Sequence, residues 1–128
     1  MRHFPTLLFF GWICWIVYLA DTAQGCVFFD LVRRMPNGDK LGHFGLFGTL
    51  ALLLNHSLNY RRIRLGRWSI QWGALMVMGF AIAEESTQWF LPARTFDLCD
   101  ILADACGVTV LSLIQLERRN RRAAVSRT

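Results

Sequence analysis

Glu84-Glu85-Ser86-Thr87-Gln88-Trp89-Phe90-Leu91-Pro92-Ala93-Arg94-Thr95-Phe96-Asp97-Leu98-Cys99-Asp100 lies between two apolar stretches, Trp68–Ala83 and Ile101–Leu116. It sets two glutamates, a glutamine, an arginine and two aspartates against those stretches, and Asp104 follows inside the second. Ionisable groups at membrane depth are costly unless paired or hydrated, so they mark where function concentrates. Pro92 ends helical pairing between the flanking runs. Trp89 and Phe90 fall where an interfacial aromatic belt belongs.

Two further apolar stretches, Phe4–Ala20 and Leu41–Leu58, complete the pattern. At about 1.5 Å per residue each reaches nearly across a ~30 Å hydrocarbon core, given a flanking turn. None carries the polar half-face that a soluble helical bundle requires. The 128 residues are 54% hydrophobic with a mean hydropathy of +0.33. The reading is therefore an all-α integral membrane bundle, one domain of four transmembrane helices over 4–20, 41–58, 68–84 and 101–116. Residues 117–128 read as a basic flexible tail.

Basic residues set the orientation. Ten of the fourteen Lys and Arg, at Arg2, in Arg61–Arg67 and after Leu116, fall on one side, leaving Arg33, Arg34, Lys40 and Arg94 on the other. Both termini are expected in the cytoplasm. The pI of about 9.6 then reflects topology and contact with anionic lipid, not nucleic-acid binding. The first run exceeds a signal-peptide core and lacks a clean cleavage site, so it reads as a retained helix. No CxxC pair exists among the four cysteines. Cys26 and Cys99 fall in the two outer loops, where an oxidising periplasm would allow them to pair.

Under this topology the polar residues converge. Asp39, Lys40 and His43 open the second span, Glu85 and Gln88 close the third, and Arg94 and Asp97 lie in the loop. Asp100 and Asp104, four residues apart, share one face of the fourth span. His43, Glu85, Arg94 and Asp100 are expected in one connected network. Gly38, Gly42, Gly45 and Gly48, with Ala103 and Gly107 in the fourth span, provide small-residue spacing for close helix approach.

The residues Asp39-Lys40-x-x-His43-Phe44-x-x-Phe47, followed by Glu85-x-x-Gln88-x-Phe90-x-Pro92-x-Arg94-x-x-Asp97-x-x-Asp100-Ile101 and Gly107, resemble the VanZ-like family of bacterial membrane proteins. The likeness covers roughly residues 39–110. Family members often carry asparagine where this chain has Asp104. The resemblance implies a multi-pass protein of the bacterial cytoplasmic (inner) membrane with a cell-envelope role. It also implies a link to antibiotic resistance, since the family is named for a protein associated with low-level teicoplanin resistance. It implies no particular reaction.

The cluster admits several chemistries. As a staple, Lys40 and Arg94 would neutralise Asp39, Asp97 or Asp100 while His43 donates to Glu85 or a carbonyl, fixing helix register. As an outward-facing pocket, Lys40 and Arg94 would hold the phosphate or carboxylate of a lipid-linked envelope component, with Asp39, Gln88, Asp97, Asp100 and Asp104 completing the binding surface. His43 and Glu85 would then serve as acid and base if chemistry follows. A divalent metal on His43, Glu85, Asp100 and Asp104 lacks a diagnostic ligand spacing, and no metal or cofactor is expected. The working reading is recognition of an anionic lipid or cell-wall component. The alternative is a non-catalytic membrane scaffold that binds a partner protein; a homo-oligomer stays open beside it.

Overall fold

The structure, a computed structural model, describes residues 1–22, 27–92 and 94–128, without the side chains of Phe28 and Phe29. Four long helices alternate in direction: α1 (Phe4–Asp21), α3 (Gly38–Ser57), α4 (Trp72–Gln88) and α5 (Leu98–Val125). A short helix, α2 (Val27–Arg34), precedes α3. A two-stranded antiparallel hairpin, β1 (Arg62–Leu65) and β2 (Trp68–Gln71), separates α3 from α4. The acidic end of the bundle gathers the start of α3, the end of α4 and the start of α5. The opposite end holds the hairpin and the N-terminus, with Arg2 donating to Asn59.

The outward faces are unusually apolar. Leu7, Leu8, Trp15, Leu75, Met76, Leu102 and Leu113 are all exposed, whereas the core is built from Ile13, Phe47, Leu50, Ala51, Ala74, Val77, Ala81 and Val108. Large apolar side chains on the outward faces suit a lipid surrounding, and alanines and glycines between the helices let them approach closely. Helices α1 and α5 are long and apolar enough to cross a membrane, each with a window of mean hydropathy 1.6. At 17 residues α4 extends only about 26 Å.

Helix α3 is the hub and packs most closely on α5. The contact is made by Gly48 and Gly107. A Cβ on Gly107 would come within 2.2 Å of the Phe44 carbonyl oxygen, and one on Gly48 within 2.9 Å of the Gly107 carbonyl oxygen. The expectation for Gly42 and Gly45 is corrected here, because both face open space. Spacing identifies a small-residue stripe but not the face that meets a neighbour.

Two other expectations change. The third helix starts at Trp72, not Trp68, because Trp68–Gln71 pairs with Arg62–Leu65. The hairpin turns at Gly66, whose φ of 62° suits the mirror-image turns that match strand twist. The basic tail is helical to Val125, an outcome consistent with the high helix propensity of its Arg and Ala residues. Cys99 is a free thiol, and the pairing expected with Cys26 lies outside the described residues.

Candidate functional site

Helix termini deliver the polar side chains to one end. Asp97 caps α5 by accepting from the Cys99 amide at 2.8 Å, so the chain turns into the helix with Asp100 and Asp104 on its inner face. The Asp97 amide donates to Glu85 Oε1 at 2.8 Å, tying the α4–α5 connection back onto α4. Glu85 Oε2 accepts from Gln88 Nε2 at 2.9 Å, and the same nitrogen donates to Glu84 Oε1 at 2.9 Å. Trp89 and Phe96 meet edge to face across this connection.

From α3, Lys40 Nζ donates to Asp97 Oδ2 at 2.8 Å and to Asp100 Oδ1 at 2.5 Å. One turn deeper, His43 stacks parallel on Phe47. Its Nδ1 is 2.9 Å from Asp104 Oδ1 and its Nε2 is 3.7 Å from Asp100 Oδ2. Arg94 lies 3.7 Å from Glu84 Oε1 and 3.5 Å from Asp21 Oδ1 at the end of α1. The groups form one chain of contacts: Asp104, His43, Asp100, Lys40, Asp97, Glu85, Gln88, Glu84, Arg94, Asp21. The four residues expected in a single network are all in it.

The partners differ from those foreseen. His43 meets Asp104 and Asp100 instead of Glu85. Arg94 meets Glu84 and Asp21 instead of Asp97 or Asp100. Asp39 is mostly exposed and approaches Lys40 only to 3.8 Å. Glu84 and Asp21 were missed as site residues; the signal was available, since Asp21 ends the first apolar run at the same end of the bundle. Glu85 is fully buried with both oxygens occupied, which suits a positioning role. The Lys40 ammonium on Asp97 holds that carboxyl below its ordinary range, helped by the Cys99 amide.

A cavity of about 590 Å³ opens beside the network. Ile13, Ile16 and Val17 of α1 with Leu46 and Phe47 of α3 form its apolar wall, while His43, Glu84, Gln88, Arg94 and Asp100 form its polar one. Ligand atoms of Asp39, His43 and Asp100 lie within 4.8 Å of one another. A divalent ion there would compete with the Lys40 ammonium already seated on Asp100.

Comparison with known proteins adds the lineage. The model of the VanZ/LLP1 family matches residues 4–116. The chain belongs to the VanZ/LLP1 family. That membership, together with the two long apolar helices, makes it a membrane protein of VanZ type. The match takes in α1 and the hairpin as well as the polar end, so it extends beyond residues 39–110, where the motif resemblance lies. No curated protein and no solved structure matches the chain.

Proposed function

We propose that this VanZ-like protein crosses the bacterial cytoplasmic membrane with all four long helices, both termini inside, and that its acidic end receives the polar head of an envelope amphiphile. Such binding would place it where teicoplanin susceptibility is affected. The observation that carries the reading is the two-sided cavity with Arg94 at its polar wall. Lys40 commits two of its three N–H groups to Asp97 and Asp100. The Arg94 guanidinium, by contrast, makes no hydrogen bond among the described residues, and its carboxylate neighbours stand at 3.5 and 3.7 Å. Guanidinium is suited to phosphate or carboxylate oxygens through its planar fork.

The network thus divides by function. The Lys40 branch clamps α3 to α5, which favours the staple reading for that half and a positioning role for Glu85. The Arg94 branch, beside the apolar wall of α1, supports ligand recognition. His43 borders the cavity and is held by Asp104, so its role is to shape the polar wall.

Native mass spectrometry of the purified protein tests this. Co-purifying lipid is expected on the wild type and depleted at least severalfold on Arg94→Ala. Equal lipid occupancy in both proteins, or none in either, would overturn the binding reading and leave the scaffold.

A further inference from the structure

Arg94 has acids beside it that are themselves incomplete. Among the described residues, Glu84 Oε2 and Asp21 Oδ1 are enclosed without a hydrogen-bond partner, and the Glu84 side chain is only 4% exposed. A buried carboxylate oxygen without a donor is rare enough in folded proteins to require an explanation. Among the described residues, the polar wall therefore offers, side by side, guanidinium N–H groups without a hydrogen-bond acceptor and a carboxylate oxygen without a donor.

A simple anion would satisfy Arg94 and be repelled by Glu84 and Asp100. A simple cation would satisfy Glu84 and be repelled by Arg94. A group carrying both functions supplies at once the acceptor that the Arg94 N–H groups lack and the donor that Glu84 Oε2 lacks among the described residues. Resting on the amphiphile reading above, we infer that the cavity selects a zwitterionic head group. Its phosphate or carboxylate lies on Arg94, and a neighbouring primary ammonium donates to Glu84. The apolar wall of Ile13, Ile16 and Val17 would take the attached chain, which favours a lipid over a free small zwitterion.

The test is thermal unfolding of the full protein in detergent with added phosphatidylethanolamine, phosphatidylcholine, phosphatidylglycerol or soluble phosphoethanolamine. Phosphatidylcholine keeps the phosphate but has no N–H donor, and phosphatidylglycerol is anionic without an ammonium. Phosphatidylethanolamine is expected to raise Tm at least twice as far as either. Glu84→Gln should abolish its advantage over phosphatidylcholine, and Arg94→Ala should remove the shift from all lipids. If Glu84→Gln does not fold, competition between the lipids on wild-type protein, read by native mass spectrometry, must show the same preference. Equal shifts by the three lipids, still dependent on Arg94, would overturn the zwitterion and leave the amphiphile site. Shifts that ignore Arg94→Ala would overturn both. A full shift from soluble phosphoethanolamine alone would overturn the lipid assignment.

Discussion

Helices α3 and α5 carry polar groups into the bundle at both ends, and the two ends resolve them differently. Near the hairpin, the wholly buried Asn55 donates through Nδ2 to Gln71 Oε1 at 2.9 Å and to Ser112 Oγ at 3.1 Å. Its Oδ1 accepts from the Ala74 amide at 3.1 Å, a donor in the first turn of α4 that has no partner within its own helix. Gln115 donates to the Leu52 carbonyl at 3.0 Å. This end is built from neutral amides, and Gly73 lies so close that a Cβ would touch Asn55 Oδ1. At the acidic end the groups are charged, a cavity intervenes, and among the described residues oxygens of Asp21, Glu84 and Asp104 are left without donors. Neutral hydrogen bonds close the hairpin end except at Gln71 Nε2, which has no partner among the described residues; charges hold the other end partly open beside a cavity. Incomplete satisfaction beside a cavity is the difference between a knot and a site.

The comparison breaks first at Asn55. Asn55→Ala should strand the Ala74 amide and the Gln71 and Ser112 side chains together, costing about 3 kcal/mol. Denaturant unfolding in detergent, or the shift in thermal midpoint, would measure it. A cost below that of removing Lys40 would mean that the amide knot is not the stronger end.

Glycine substitutions come next, with an effect of about 2 kcal/mol for Gly107→Ala, since the new methyl would press on the Phe44 backbone. Gly42→Ala should be neutral or slightly stabilising, because the position is open and alanine favours helix. The pair of thermal midpoints separates contact from spacing. If both substitutions cost the same, the α3–α5 approach is not where the structure puts it.

Lys40→Met leaves Asp100 without its cation, yet Lys40 is a third exposed and water screens part of the interaction. The expected loss is therefore about 1–2 kcal/mol, below the full penalty for a buried pair. His43→Gln should cost little in thermal midpoint but alter lipid occupancy if the polar wall binds. Loss of occupancy only in proportion to lost stability would return the whole network to the staple reading.

Much of this contrast was legible in the sequence, and the part that was not has physical causes. The polar convergence follows from alternating helix direction and from i,i+4 spacing, so Lys40, His43, Glu85, Gln88, Asp97, Asp100 and Asp104 could be gathered without coordinates. Individual partners could not, because a shift of one side-chain length decides whether His43 meets Glu85 or Asp104. Asn55 looked like an ordinary polar residue near a span end. Its role depends on Gln71, which only the hairpin brings alongside, and four-residue strands within an arginine-rich link carry little periodic signal. Glu84 and Asp21 could be placed at the acidic end from the sequence, but their pairing with Arg94 could not, because Arg94 sits on a loop and no helical spacing ties a loop residue to its partners.

The smallest effect is one of pH, and it would sharpen the division within the acidic end. Asp97 has its folded pKa lowered by the Lys40 ammonium and the Cys99 amide. A carboxyl whose folded pKa is depressed contributes stability above its unfolded value of about 3.9, and that contribution disappears as pH falls through the folded value. The Lys40 clamp should therefore be intact at neutral pH and weaken only below about pH 4. Asp97→Asn isolates the contribution: its thermal midpoint should lie below that of the wild type at pH 7, and the two should converge as the pH approaches 3. Asp97 is partly exposed, so the gap at pH 7 should be modest and shrink further in salt. Because Arg94 and Glu84 lie on the other branch, lipid occupancy should survive Asp97→Asn at pH 7. Lipid lost along with the clamp would show that the two branches act as one, and the distinction between staple and site would fail.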